Sequence, residues 1–224
     1  MNPRSGFHDR RQAGEQLAMA LATEAPAPDA ASIVLALPRG GVPVGYALAR
    51  CLGLPFDVLL VRKLGLPGHE EFAMGAVGDG GIRIMNDEVV RAFHVSEDVI
   101  AHACERAWQL IAQRAQLYRG GRAEPLLQAR HVILVDDGMA TGASMRAAIA
   151  VARAKGAARL SMAVPVGAPD TCAAIRREVD QLVCLFAPAT FQAVGQWYRH
   201  FEQTSDSEVR QCLARAWHSE TQQA

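Results

Sequence analysis

Val132-Ile133-Leu134-Val135-Asp136-Asp137-Gly138-Met139-Ala140-Thr141-Gly142-Ala143-Ser144 decides how the chain folds. Four β-branched or leucine residues run straight into two acids, and a loop of small residues leads on to a helical pattern. An apolar run of this kind fits a strand buried on both faces, as strands of a parallel sheet are. The acids then stand just past the strand's carboxyl end, where open α/β sheets hold their ligands. Thr141 to Ser144 form a hydroxyl-lined turn at a helix N-terminus, where free N–H groups and the helix dipole favour an anion. Acids suited to a diol or a metal, set beside an anion cradle, point to a sugar phosphate.

The flanking sequence repeats the strand–turn–helix pattern. Asp9 can cap a helix running to Ala22, and Ala25-Pro26-Ala27-Pro28 is a break. Ser32 to Leu37 reads as a buried strand that ends in Pro38-Arg39-Gly40-Gly41, and Val42 to Leu52 as a helix closed by Gly53. Phe56 to Val61 is a second strand, followed by Arg62-Lys63. Leu64 to Phe72 holds two glycines, a proline and a histidine without a period, so it reads as a loop. Ala73–Val77 and Ile82–Met85 flank Gly78-Asp79-Gly80-Gly81, a hairpin signal. Asn86–Phe93 and Ser96–Tyr118 are helical, the latter with an apolar stripe of Val99, Ala103, Ala107, Leu110, Ile111 and Leu117.

Beyond the opening motif, helices over Ala143–Lys155, Asp170–Val179 and Ser205–Trp217 alternate with strands over Leu160–Val166 and Gln181–Leu185. Phe191–Phe201 is an aromatic-rich connection, and Ser205-x-x-Glu208 has capping-box spacing. Strands alternating with helices predict an α/β fold with a doubly wound, mostly parallel sheet. We expect one domain over residues 1–224, with its core at about 30–185, a helical insertion at about 86–120 and a small hood from 1–24 and 186–224.

Composition narrows the function classes. Half the residues are hydrophobic and the formal net charge is zero, so no general attraction to nucleic acid or to a membrane is expected. The five cysteines form no C-x-x-C pair, which fits reduced thiols and argues against a zinc site. Met1 to Gly14 is polar, and no apolar run approaches the roughly 18 residues a membrane span needs. A cytoplasmic protein is the expectation. No Gly-x-Gly-x-x-Gly follows a strand and no Gly-x-x-x-x-Gly-Lys-[Ser/Thr] occurs, which leaves dinucleotide oxidoreductases and P-loop NTPases without support.

The thirteen-residue motif resembles the phosphoribosyl-pyrophosphate (PRPP) motif of type I phosphoribosyltransferases. The resemblance implies that Asp136 and Asp137 face the ribose 2- and 3-hydroxyls, directly or through Mg²⁺. It implies that Ala140, Thr141, Gly142, Ala143 and Ser144 cradle the 5-phosphate. Pro38-Arg39-Gly40-Gly41 takes the place of the family's pyrophosphate loop, often built on a strained or cis peptide bond, so Arg39, Gly40 and Gly41 would hold the leaving group. Arg62 and Lys63 match the start of the family's flexible catalytic loop, and with the two acids they make the candidate catalytic set. His69, Glu70 and Glu71 lie in the same loop, where polar residues are more often simply solvated.

The departures from the family pattern carry information too. Enzymes acting on 6-oxopurines usually have an acid four positions after the first motif acid, and here that position is Ala140. Ala143 stands where that branch often has lysine. The Ala-Thr-Gly order is closer to the adenine-type motif, although the rest of the chain more resembles a bacterial branch of phosphoribosyltransferase-domain proteins. The acceptor site is expected in the hood, with Phe7, Phe191, Trp197 and Tyr198 as aromatics that either stack on a base or only bury the sheet edge. The resemblance thus implies an Mg²⁺-dependent enzyme that moves the phosphoribosyl group of PRPP onto a small-molecule base, as a homodimer. The rival is a regulator of the same fold that senses PRPP or a nucleotide without turning it over.

Overall fold

The structure, a computed structural model, describes residues 6–24 and 27–221. The polar start at Met1 to Gly14 and the break at Ala25–Pro28 lie partly outside those residues. Helix α1 (Arg10–Thr23), capped by the Asp9 side chain, leads to strand β1 (Ser32–Ala36), helix α2 (Gly41–Leu52) and strand β2 (Phe56–Val58). Strands β3 (Val61–Leu66), β4 (His69–Gly78) and β5 (Arg83–Met85) come next, followed by α3 (Asp87–Ala92) and the long α4 (Glu97–Arg119). The second half alternates: β6 (His131–Val135), α5 (Ala143–Ala154), β7 (Arg159–Val166), α6 (Pro169–Ile175), β8 (Gln181–Phe186) and α7 (Asp206–Thr221).

Five of the strands form one parallel sheet in the order β2-β1-β6-β7-β8. Alternate residues along each strand face opposite sides. Val34, Ala36, Ile133 and Val135 pack under α1, α2 and α7. Ile33, Leu35, Val132 and Leu134 pack under α5 and α6. The fold class read from the sequence therefore holds. After β1 the chain moves outward to β2, whereas from β6 it moves the other way to β7 and β8. The β1–β6 boundary is thus the switch point at which an open sheet leaves a crevice at its carboxyl edge.

The remaining strands form a separate antiparallel sheet, β3-β4-β5, and here the sequence reading needs correction. Leu64 to Phe72 is not a loop. Strands β3 and β4 pair from Val61↔Gly78 to Leu66↔His69, with register shifts on either side of Gly65. Those irregularities, and the turn at Pro67-Gly68, erase the two-residue period that marks strands. The second strand also stops at Val58, and Leu59-Leu60 carry the chain out of the parallel sheet. The expected hairpin around Gly78–Gly81 is present as β4–β5. The helix expected over Asp170–Val179 ends at Ile175 and gives way to turns.

The antiparallel sheet lies between α4 and α5. On one side Leu64, Leu66, Met74 and Val77 share a core with Ile100, Cys104, Ala107, Ile111 and Tyr118 of α4. On the other, Gly78 lies so close to Val151 of α5 that a Cβ would collide with it. The buried face of α4 is therefore rotated by about one position from the expected stripe, and Val99, Leu110 and Leu117 are exposed. The two sets mark adjacent faces of one helix, and contact with the antiparallel sheet selects between them.

A buried arginine fixes this assembly. Arg119, at the end of α4, bonds the Asp57 carboxylate (3.0 Å), the Val58 carbonyl (2.7 Å) and the Asp79 carboxylate (2.5 Å). It thereby ties α4 to β2 and to the β4–β5 turn. Burial pushes the Asp57 carboxyl above its ordinary pKa, against the pull of Arg119. Arg119→Met alone should lower unfolding free energy by about 3–5 kcal/mol in a urea titration, because it strands a buried carboxylate. Adding Asp57→Leu should recover part of that loss.

Candidate functional site

The loops that follow β1 and β6 meet at the switch point. The Leu37 N–H donates to the Val135 carbonyl (2.9 Å), which joins the two strand ends. The peptide bond between Pro38 and Arg39 is cis, as the family resemblance anticipated. A Cβ on Gly40 would overlap the Asp137 carboxylate, and one on Gly41 would press on the Val135 carbonyl and the Asp136 backbone. The glycines at these two positions let the expected pyrophosphate loop lie directly against the expected ribose acids.

The expected anion cradle lies where α5 begins. Gly142 precedes the helix with φ 72° and has no side chain to cap it; the Ala143 N–H reaches the Thr141 hydroxyl at 3.4 Å, and the amides after it in the first turn can face a ligand. The loop is held from β7 and α6. Met139 N–H donates to the Val166 carbonyl (2.8 Å), Ala168 N–H to the Met139 carbonyl (2.9 Å), and the Thr171 hydroxyl to the Ala140 carbonyl (2.7 Å). Residues 140–144 open into two clefts. Ser144 lines one of about 230 Å³ with Pro38, Arg62 and Lys63. Thr141 and Ala143 line another of about 510 Å³ with Lys63 and Arg146. Lys63 borders both.

The acids are unequal. The Asp136 carboxylate accepts from the Asp137 N–H (2.9 Å). Burial and then the neighbouring Asp137 push its carboxyl well above the usual carboxylate range. Burial also raises Asp137, while Arg10 pulls the other way. Arg10 Nε and Nη2 lie 2.9 and 2.8 Å from Asp137 Oδ2, its Nη1 donates to the Glu202 carbonyl, and its guanidinium stacks 4.0 Å from the Phe201 ring. Sequence reasoning placed Arg10 in a candidate hood segment without a partner. The available signal was an arginine in the first turn of a helix, where the dipole disfavours positive charge.

The hood aromatics divide. Phe7 is buried against Phe186 and Tyr198. Tyr198 is also buried, and its hydroxyl donates to the Asp137 carbonyl (2.6 Å). Trp197 is half-buried and stacks on Phe186; Phe191 is half-buried as well. His69 lies at the far end of the antiparallel sheet, next to Phe72 and Phe93. The side chains of Glu70 and Glu71 lie outside the described part of the structure. Arg39 points towards Asp206 at the start of α7 (3.9 Å). Trp108 and Trp217 pack against the core, as their helical settings predict.

Comparison with known proteins agrees with this geometry. The phosphoribosyl transferase domain family matches residues 11–186. A Mycobacterium tuberculosis (strain H37Rv) protein provisionally named phosphoribosyl transferase Rv0571c is 49% identical over 212 residues, covering 94% of this chain. Its counterpart MT0597 in strain CDC 1551 matches equally. The chain spans about half the length of these curated relatives, 47%. The crystal structure of TT1426 from Thermus thermophilus superposes with a TM-score of 0.86 at 41% identity, covering 94% of this chain and 98% of that one. No helix among the described residues is long and apolar enough to cross a membrane. With its strand-end loops and its sequence in agreement, the chain belongs to the phosphoribosyl transferase domain family.

Proposed function

We propose that the protein transfers the 5-phosphoribosyl group of PRPP to a nitrogenous base or related small acceptor, releasing pyrophosphate. The observation that carries this reading is the contact between the Gly40-Gly41 loop and the Asp136-Asp137 pair, beside an uncapped helix start and the Arg62-Lys63 cations. One crevice then offers groups for a diol, a 5-phosphate and a leaving diphosphate.

In the reaction the bond from ribose C1 to the pyrophosphate oxygen breaks, and pyrophosphate leaves with the electron pair. A bond from C1 to the acceptor nitrogen forms, and the acceptor's proton is lost. The centre passes through an oxocarbenium-like state, as in other glycosyl transfers. The protein's work is alignment and charge stabilisation. Asp136 and Asp137 orient the ribose hydroxyls and face the positive charge that develops on the ring. Arg62 and Lys63 meet the charge growing on pyrophosphate. Arg10 and Tyr198 hold Asp137 from the hood side.

Magnesium belongs to the same reading. Among the described residues no group of three or more His, Cys, Asp or Glu side chains is arranged to hold a metal. Two adjacent carboxylates without a fuller cage fit Mg²⁺, which binds through one or two carboxylates plus substrate phosphates. Asp136 and Asp137 would hold it, and the ion would supply charge neutralisation for the diphosphate. Homodimerisation is likewise part of the proposal, and light scattering tests it.

The assay is pyrophosphate release from PRPP with a panel of bases and Mg²⁺. Release with at least one acceptor is expected, whereas tight PRPP binding without release across a broad panel would establish the sensor instead. Asp137→Asn should slow transfer at least tenfold, about 1.4 kcal/mol of barrier; unchanged turnover would remove this acid from the mechanism. Gly40→Ala tests the close approach. Gly40 has φ −58°, so alanine fits the backbone there, and the three atoms nearest the added methyl all belong to the Asp137 carboxylate. Its midpoint of thermal unfolding should stay near wild type while PRPP affinity, read by calorimetry, falls at least tenfold.

A further inference from the structure

The helical insertion supplies a charge to the small cleft. Arg114, in the second half of α4, lines it with Ile111 of the same helix, Arg62 and Lys63 of β3, Pro38 and Ser144. The placement follows from helix geometry. Ile111 is three residues before Arg114 and Tyr118 four after, so the three share one side. Ile111 and Tyr118 are buried, and the Tyr118 hydroxyl donates to Asp206 (2.6 Å). Five residues on, Arg119 fastens the helix end to β2 and the β4–β5 turn. Arg114 is therefore carried on a helix anchored on both sides of it.

Among the described residues no carboxylate lines this cleft. Among the described residues, Arg62, Lys63 and Arg114 each lack an ion-pair partner. Three cations gathered around a cleft of about 230 Å³ without a counter-charge repel one another and raise the local potential for a polyanion. Two of them are guanidinium groups, whose planar forks match phosphate oxygens in pairs. Arg39 stands nearby on the adjoining loop. It and Arg114 both lie close enough to Tyr118 to pull its pKa down, although burial and then Asp206 prevail and push it up to about 12.

We propose that Arg114 binds the diphosphate end of PRPP, and the departing pyrophosphate, from the α4 side of the cleft. This rests on the phosphoribosyl-transfer reading above. It gives the insertion a direct role at the site: α4 both backs the antiparallel sheet that carries Arg62 and Lys63 and adds a cation of its own facing them.

The test is calorimetric titration of inorganic pyrophosphate, and separately ribose 5-phosphate, into the full chain in magnesium buffer. Arg114 is exposed, so its replacement leaves the core intact. Arg114→Ala should weaken pyrophosphate at least tenfold and leave ribose 5-phosphate within twofold of wild type. Arg114→Lys should restore part of the loss. Wild-type affinity for pyrophosphate in Arg114→Ala would overturn the assignment while leaving the transfer reading intact. Equal weakening of both ligands would also overturn it, as a general disturbance of the site. A wild-type chain that binds neither pyrophosphate nor PRPP would overturn the transfer reading and this inference together.

Discussion

The Val135 carbonyl and the Asp136 backbone lie so near Gly41 that no side chain fits between them, and the Asp137 carboxylate fills the space a Cβ would need at Gly40. This close approach is the constraint on which the site depends. It follows from β1 and β6 being parallel neighbours in register from Ser32↔His131 to Ala36↔Val135, so that both strands deliver their loops to the same edge at the same height. A larger residue at Gly41 would wedge the loops apart, and one at Gly40 would displace the Asp137 carboxylate. The two acids would then no longer lie beside that loop.

Around that contact the structure divides its labour by layers. The parallel sheet and its helices hold the motif loops with backbone hydrogen bonds, such as Met139 to Val166 and Ala168 to Met139. The antiparallel sheet holds Arg62 and Lys63, and it is positioned by packing between α4 and α5 rather than by pairing with the main sheet. The Asp57–Arg119–Asp79 network then joins the two systems. A buried charge network of this kind is weak evidence for stability against an apolar alternative. Its hydrogen bonds are directional, however, and they fix where α4 ends and so where Arg114 stands.

On the opposite side, α1 and the segment before α7 close over the acids. Arg10 stacks on Phe201, bonds the Glu202 carbonyl and reaches Asp137, while Tyr198 bonds the Asp137 carbonyl. The second motif acid is thus held by groups drawn from both ends of the chain. Half-buried acids side by side resist carrying two charges, and a guanidinium on one of them relieves that pressure without occupying Asp136.

Much of this was legible in order of residues. An apolar strand running into Asp136-Asp137 and then Thr141-Gly142 sets its own local structure, because strand burial, loop and helix start are decided within thirteen consecutive positions. The same holds for Pro38–Gly41, for the caps at Asp9 and Ser96 and for the β4–β5 hairpin. The antiparallel sheet was less legible, since register shifts beside Gly65 hide the alternation on which strand reading relies. The buried face of α4 was ambiguous because two adjacent faces are apolar, and only the sheet it packs on chooses between them. The pairings of Arg10 with Asp137, 127 residues apart, and of Arg119 with Asp57, 62 residues apart, leave no periodic trace at all. By itself the sequence determined the α/β class and the two strand-end loops, because those depend on neighbours along the chain. The tertiary structure alone decided which charges meet, because a long side chain's partner is set by how layers stack and not by the residues beside it.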